Sequence, residues 1–202
     1  SNVNSKQATI SKNTGAIFSI LTESVYSDVM SAGIREIISN AIDSTKRAKN
    51  NKPIQITPPT KFAQTFMVRD FGLGLSHQEI YDLYTSVGES SKKQSVDGIG
   101  FFGIGAMSPF AYVESFTVVS YQNRKARTYS IYMGESGVPE IAFIREIHTD
   151  QPNGFEVSYS VKMTDCLTFN DKLHKILSYI DKGVWEWSDK KFAQNIVHYK
   201  DS

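Results

Sequence analysis

The sequence is nearly without cysteine: Cys166 stands alone, which excludes an intramolecular disulfide framework and fits a reducing compartment. No apolar run approaches the roughly 20 residues needed to span a bilayer, and no signal peptide opens the chain. Neither charge is in excess, with 22 basic against 21 acidic side chains. That balance argues against a domain whose main task is gripping nucleic acid phosphates. Internal repeats and low-complexity blocks are also missing. The chain begins Ser1-Asn2 without a methionine, which reads as the scar of a removed tag on an excised piece of something longer. What remains is 202 residues of ordinary globular composition, 40% hydrophobic and 21% charged. That is one medium domain, with room for an appendage.

Periodicity predicts a strand over 16–22 and a long helix from Tyr26 to Lys49, stopped by Asn50-Asn51 and Pro53. A strand over 62–69 leads into Asp70-Phe71-Gly72-Leu73-Gly74, and Ser76 with Glu79 gives the capping-box spacing of a short helix. Residues 85–100, rich in Ser, Gly and Lys, read as a mobile loop or lid. Strands are predicted over 115–121, 126–133, 139–147 and 155–162, separated by turn signals such as Gln122-Asn123 and Pro152-Asn153-Gly154. Leu173, Ile176, Leu177 and Ile180 mark one face of a late helix, and Trp185 and Trp187 alternate as in a strand. Helices first and four successive strands later do not suit parallel βαβ alternation. The expected fold is α+β, a two-layer sandwich of one mostly antiparallel sheet with helices on one face.

With Glu36 set at zero on a helical wheel of about 100° per residue, Asn40 falls near 40° and Asp43 near −20°. Ile34, Ile37, Ile38, Ala41 and Ile42 take the opposite side. An amphipathic helix with a solvated polar face would look the same, but the stripe could also hold a hard cation and a water. Asp70 with Gly72 and Gly74 forms either a helix-capping turn or a backbone that approaches a ligand, with a carboxylate able to accept from an exocyclic amine. Gly98–Gly105 carries four glycines in eight residues and runs into a helix-compatible Ala106-Met107-Ser108, a ready anion site. It lacks the GK[ST] of a Walker A loop and the acidic residue of a dinucleotide-binding unit.

In this order, the three motifs resemble the Bergerat-fold superfamily that includes gyrase B, Hsp90, MutL and the histidine kinases. Residues 99–108 look like the Hsp90-type phosphate loop, and Ser90-Ser91-Lys92 resembles a MutL-like lid. Over Ala16–Tyr112 the chain is also similar to the N-terminal part of rIIA-like phage lysis-inhibition proteins. The resemblance implies a Bergerat, Hsp90-like domain over 1–165 and a helical extension over 166–202, the start of a following domain. It implies ATP as ligand and Mg²⁺ as cofactor. Glu36 would be the general base, Asn40 the metal ligand, and Asp70 the acceptor of the adenine amine, with Gly72, Gly74 and Leu75 beside the base. The backbone of Gly100, Phe102, Gly103, Ile104, Gly105 and Ala106 would wrap the phosphates, Ser91 and Lys92 would close over them, and Asp43 and Arg47 would lie nearby. Where many members carry a threonine after a late-strand glycine, this chain has Phe155, so the adenine pocket lacks that hydroxyl.

The resemblance further implies a slow ATPase acting as a conformational switch, with hydrolysis by this chain alone weak or undetectable. It implies dimerisation on ATP binding, a companion phage protein, and the cytoplasm of an infected bacterium with peripheral membrane association. Two alternatives stay open. A histidine-kinase-type phosphotransferase would need a phospho-accepting histidine before the ATP domain, whereas His77, His148, His174 and His198 all come after the first motif. A degenerate nucleotide-binding module without turnover is the other.

Overall fold

The computed structural model describes residues 5–7, 28–85 and 105–194. The predicted strand over 16–22, the first residues of the long helix, most of the predicted lid, and Ser91, Lys92, Gly100, Phe102, Gly103 and Ile104 lie outside the described residues. Helix α1 (Val29–Arg47) begins at Asp28, whose carboxylate accepts the Ser31 N–H at 3.1 Å and its hydroxyl at 2.8 Å. Side-chain oxygens at this position satisfy donors that have no partner inside the helix. Lys46 and Arg47 in the last turn complement the helix dipole. Ile34, Ile37, Ile38 and Ala41 are buried, the face that the wheel assigned to the core.

The strands β1 (Ser5–Gln7), β2 (Ile54–Thr57), β3 (Thr65–Arg69), β4 (Ser115–Gln122), β5 (Lys125–Met133), β6 (Pro139–His148), β7 (Gly154–Ser160) and β8 (Trp185–Trp187) form one sheet. Their order is β1-β6-β5-β4-β7-β3-β2-β8, and every pairing is antiparallel except β2 with β8. Helices α2 (His77–Thr85) and α3 (Cys166–Leu177) join α1 against the sheet, and a short α4 (Lys191–Gln194) comes after β8. Phe66, Val68, Val118, Ile131, Ile141 and Tyr159 meet Ile34, Ile38, Ile80, Tyr84, Phe169 and Leu173 in one apolar core. Each fully buried isoleucine or phenylalanine there contributes roughly 1.5–3 kcal/mol. This is the expected two-layer α+β sandwich.

Two details depart from the sequence expectation. Phe62 does not open a strand: the Thr60 hydroxyl accepts the N–H groups of Phe62 and Ala63, turning the chain and leaving Phe62 fully exposed. Ile54–Thr57, which carries no strand expectation beyond the helix stop at Pro53, is an interior strand between β3 and β8, its Ile54 and Ile56 buried. Trp185 and Trp187 do alternate in a strand, and they pack half-buried against the core of this same chain with rings 4.9 Å apart. The capping box at α2 forms as predicted, with Ser76 N–H on Glu79 at 2.6 Å and Glu79 N–H on the Ser76 hydroxyl at 3.2 Å.

Candidate functional site

A cavity of about 460 Å³ opens between α1, α2 and the inner face of the sheet. Asn40, Ser44, Arg47, Asp70, Gly105 and Phe155 are among its polar and ring-bearing walls, and Ile37, Val68, Leu75, Leu83 and Val157 supply apolar surface. An apolar cavity with a few convergent polar groups is what a small ligand held in one orientation requires.

Asp70 lies at the end of β3, where the chain leaves the sheet beneath α1. It is buried, and one oxygen, Oδ1, accepts both the Gly72 N–H at 2.9 Å and the Phe155 N–H at 3.0 Å. The Ser44 hydroxyl also bonds this carboxylate. Burial pushes the Asp70 carboxyl up to about 6, against the pull of these hydrogen bonds and of Arg69. Thr45, the next residue of α1, accepts the Phe71 N–H at 3.1 Å, and Asn50 donates to the Phe71 carbonyl at 3.0 Å. The Asp70–Gly74 loop is therefore tied to the end of α1 on both sides.

Leu75 is held by Ser120 of β4, whose hydroxyl accepts the Leu75 N–H at 2.8 Å and donates to the Leu75 carbonyl at 2.6 Å. Gly154 makes the approach of β7 to Asp70 possible. A Cβ there would collide with both the Asp70 carbonyl and Arg69 Nη1, and its φ of 152° is a conformation that L side chains rarely adopt.

At the other end of the cavity Gly105 faces α1. A Cβ at this position would lie 2.7 Å from Glu36 Oε2 and 3.7 Å from Asn40 Nδ2. A carboxylate and a carboxamide thus converge on the residue that ends the glycine-rich loop. Asn40 lines the cavity, and Glu36, half-buried, lines the adjoining groove between α1 and α3.

Among the other expected positions, Gly74, Leu75, Arg47 and Ala106 lie on the cavity wall, and Gly72 reaches it through its bond to Asp70. Asp43 stands exposed and off the wall, because the next residue, Ser44, takes the inward position one turn after Asn40. Ser44 and Ser120 were missed by sequence reading; only the i, i+4 spacing of Ser44 from Asn40 could have pointed to it. Phe155 faces the cavity with its ring while its backbone serves Asp70, so Ser44 is the hydroxyl beside the carboxylate. His77, exposed at the rim of α2, bonds the Tyr129 hydroxyl at 2.8 Å, and His174 stacks near Trp187. Neither lines the cavity.

Residues 26–150 match the family model described as histidine kinase-, DNA gyrase B- and HSP90-like ATPase. The chain is similar to the chaperone protein HtpG of Rhodococcus jostii, at 28% identity over 97% of this chain and 32% of that protein. It is similar to HtpG of Mycobacterium bovis at 28% identity, over 80% of this chain and 28% of that protein. HtpG of Porphyromonas gingivalis is 27% identical over 67% of this chain and 22% of that protein. The chain thus spans about a third or less of the length of these relatives.

Proposed function

The chain belongs to the histidine kinase-, DNA gyrase B- and HSP90-like ATPase family, and from that premise we propose that its cavity binds Mg-ATP and hydrolyses it slowly, as a nucleotide-driven conformational switch. The observation that carries this reading is the buried Asp70 carboxylate at the apolar end of the cavity, with Asn40 and Glu36 converging on Gly105 at the other.

Asp70 has both backbone donors on Oδ1, which leaves Oδ2 to accept an exocyclic amine. Leu75, Val157 and Phe155 would bracket the base. The backbone N–H groups of Gly105 and Ala106 would face phosphate oxygens, with Arg47 adding positive charge at the cavity wall. Among the described residues no cluster of three or more His, Cys, Asp or Glu side chains could hold a metal ion. A carboxamide oxygen shared with phosphates suits Mg²⁺, which keeps few protein ligands, so Asn40 would hold it. Bound there, the cation would neutralise phosphate charge. Glu36 would take the proton of an attacking water, a role its carboxylate can play from the Gly105 side.

For biological setting, the rIIA-like resemblance supports a phage protein that acts on host lysis or exclusion. It would work from the host cytoplasm with a companion protein at the membrane surface and dimerise when ATP is bound. Among the described residues no helix is long and apolar enough to cross a membrane. Co-purification from infected cells, with and without Asp70→Asn, tests the partner.

Calorimetric titration with ATP and Mg²⁺ tests the core of the proposal. Saturable binding that disappears in Asp70→Asn is the expected result. No binding at millimolar nucleotide overturns it.

A further inference from the structure

We propose that Arg69 is a positioning residue for the base end of the cavity, locking the Asp70 loop to the Pro152–Phe155 turn so that the Asp70 carboxylate is presented ionised and in one orientation. The inference rests on the nucleotide reading above and adds a residue that never touches the ligand.

Arg69 is the last residue of β3, and strand alternation sends its side chain to the face opposite the helices. Arg69 is nevertheless only 6% exposed. Its guanidinium donates to the Asp70 carbonyl through Nη1 and to the Pro152 carbonyl through Nη2, the latter at 2.5 Å. The same group lies 3.9 Å from the Tyr121 ring centre and 4.8 Å from that of Phe71, with Lys52 over Phe71 at 4.0 Å. Glu156 stands opposite Arg69 in the β3–β7 register and bonds the Tyr121 hydroxyl at 3.5 Å.

A buried arginine held this way costs desolvation that an apolar side chain would avoid, so a merely structural plug needs no charge here. The two acceptors show what the charge does. The Asp70 carbonyl and the Pro152 carbonyl belong to the two segments that the Phe155 N–H to Asp70 Oδ1 bond joins. A planar fork bridges both, whereas a single ammonium spans one. Gly154, with no room for a Cβ against Arg69 Nη1 or the Asp70 carbonyl, lies directly on this bridge. The positive charge also opposes the burial that drives the carboxyl toward its neutral form. A protonated Asp70 could donate where the amine also donates, and the ligand would be refused.

The test uses the full chain and titrates Mg-ATP and Mg-ADP against wild type, Arg69→Gln and Arg69→Lys from pH 5 to 8. Arg47 and Glu79 on the cavity wall, and Lys52, Tyr121 and Glu156 beneath, are the same in all three proteins. Arg69→Gln is expected to weaken ATP and ADP alike by at least about tenfold, the equivalent of one strong hydrogen bond. The midpoint of its pH dependence should move up, because the carboxylate has lost its cation. Arg69→Lys should keep the midpoint and lose about threefold to tenfold, since charge is retained and one tether is not. If Arg69→Gln does not fold, the Arg69→Lys result decides alone.

Wild-type affinity in Arg69→Lys, a loss confined to ATP, or weakening without a moved midpoint in Arg69→Gln overturns the role of Arg69 while leaving nucleotide binding intact. A wild-type chain that binds neither nucleotide removes the nucleotide reading and this inference together.

Discussion

Asp70 and Phe155, 85 residues apart in the chain, hold each other by two hydrogen bonds: the Phe155 N–H donates to Asp70 Oδ1 at 3.0 Å, and the Asp70 N–H donates to the Phe155 carbonyl at 2.8 Å. The side chain of residue 155 takes no part in either bond. The phenylalanine side chain therefore does not disturb the hold on the carboxylate. The Ser44 hydroxyl, arriving from α1, supplies a side-chain hydrogen bond to the same carboxylate.

Asp70→Asn separates binding from stability. The asparagine oxygen keeps both backbone donors that now meet on Oδ1, and the variant no longer buries a charge. Stability at pH 7 is expected to rise by about 1–3 kcal/mol, while ATP affinity falls by at least about a hundredfold, because a donor now faces the amine. Urea denaturation and calorimetric titration measure the two effects. A variant that is both less stable and still able to bind contradicts the assignment.

The same carboxyl sets a pH dependence. Its folded value, about 6, lies above the ordinary 3.8, so the folded state holds this proton more tightly than the unfolded chain. The associated stabilisation is complete below 3.8 and is lost as pH rises through about 6, a change of roughly 3 kcal/mol. Wild type minus Asp70→Asn, measured by denaturation between pH 4 and 7.5, should show stability declining over this window. A flat difference across it would count against a buried, proton-holding Asp70.

Ser44→Ala removes the hydroxyl that bonds Asp70 and opens a small gap against Gly72. The fold should lose no more than about 1 kcal/mol, since the residue lines a cavity rather than the core. ATP should bind about threefold to tenfold more weakly, and the pH midpoint of binding should move up as the carboxylate loses a donor. Unchanged affinity at every pH would show that Phe155 needed no replacement hydroxyl.

Gly105→Ala acts at the opposite end. The new methyl must displace the Glu36 carboxylate, the far end of a flexible side chain, so folding should tolerate it within about 1 kcal/mol. Turnover should fall by about tenfold or more while the ATP dissociation constant changes much less, as displacement of a general base predicts. Single-turnover phosphate release with saturating ATP reads this directly. Equal losses in binding and turnover would place Glu36 outside the chemistry.

Much of this molecule is legible in the chain itself. The apolar stripe of α1 comes from Ile34, Ile37, Ile38 and Ala41 at helical spacing, and the late strands from period-two alternation, because both patterns report which side of an element meets the core. The glycine and acidic motifs marked both ends of the cavity, since only certain residues permit a close backbone approach. Phe62 misled because its local reading was apolar, while a Thr60 hydroxyl decided its turn. Ile54–Thr57 was too short to announce itself and became an interior strand through its partners β3 and β8.

The sequence by itself determined most of the elements, the family and the chemical inventory: a carboxylate, a carboxamide and glycines in order along the chain. Only tertiary structure decided which groups share one ligand space. Ser44 rather than Asp43 turns inward, Ser120 pins Leu75 from another strand, and Arg69 secures Asp70 from beneath the sheet. The physical reason is that periodicity encodes the face of an element, whereas hydrogen bonds between residues far apart depend on register and packing, which no local pattern carries.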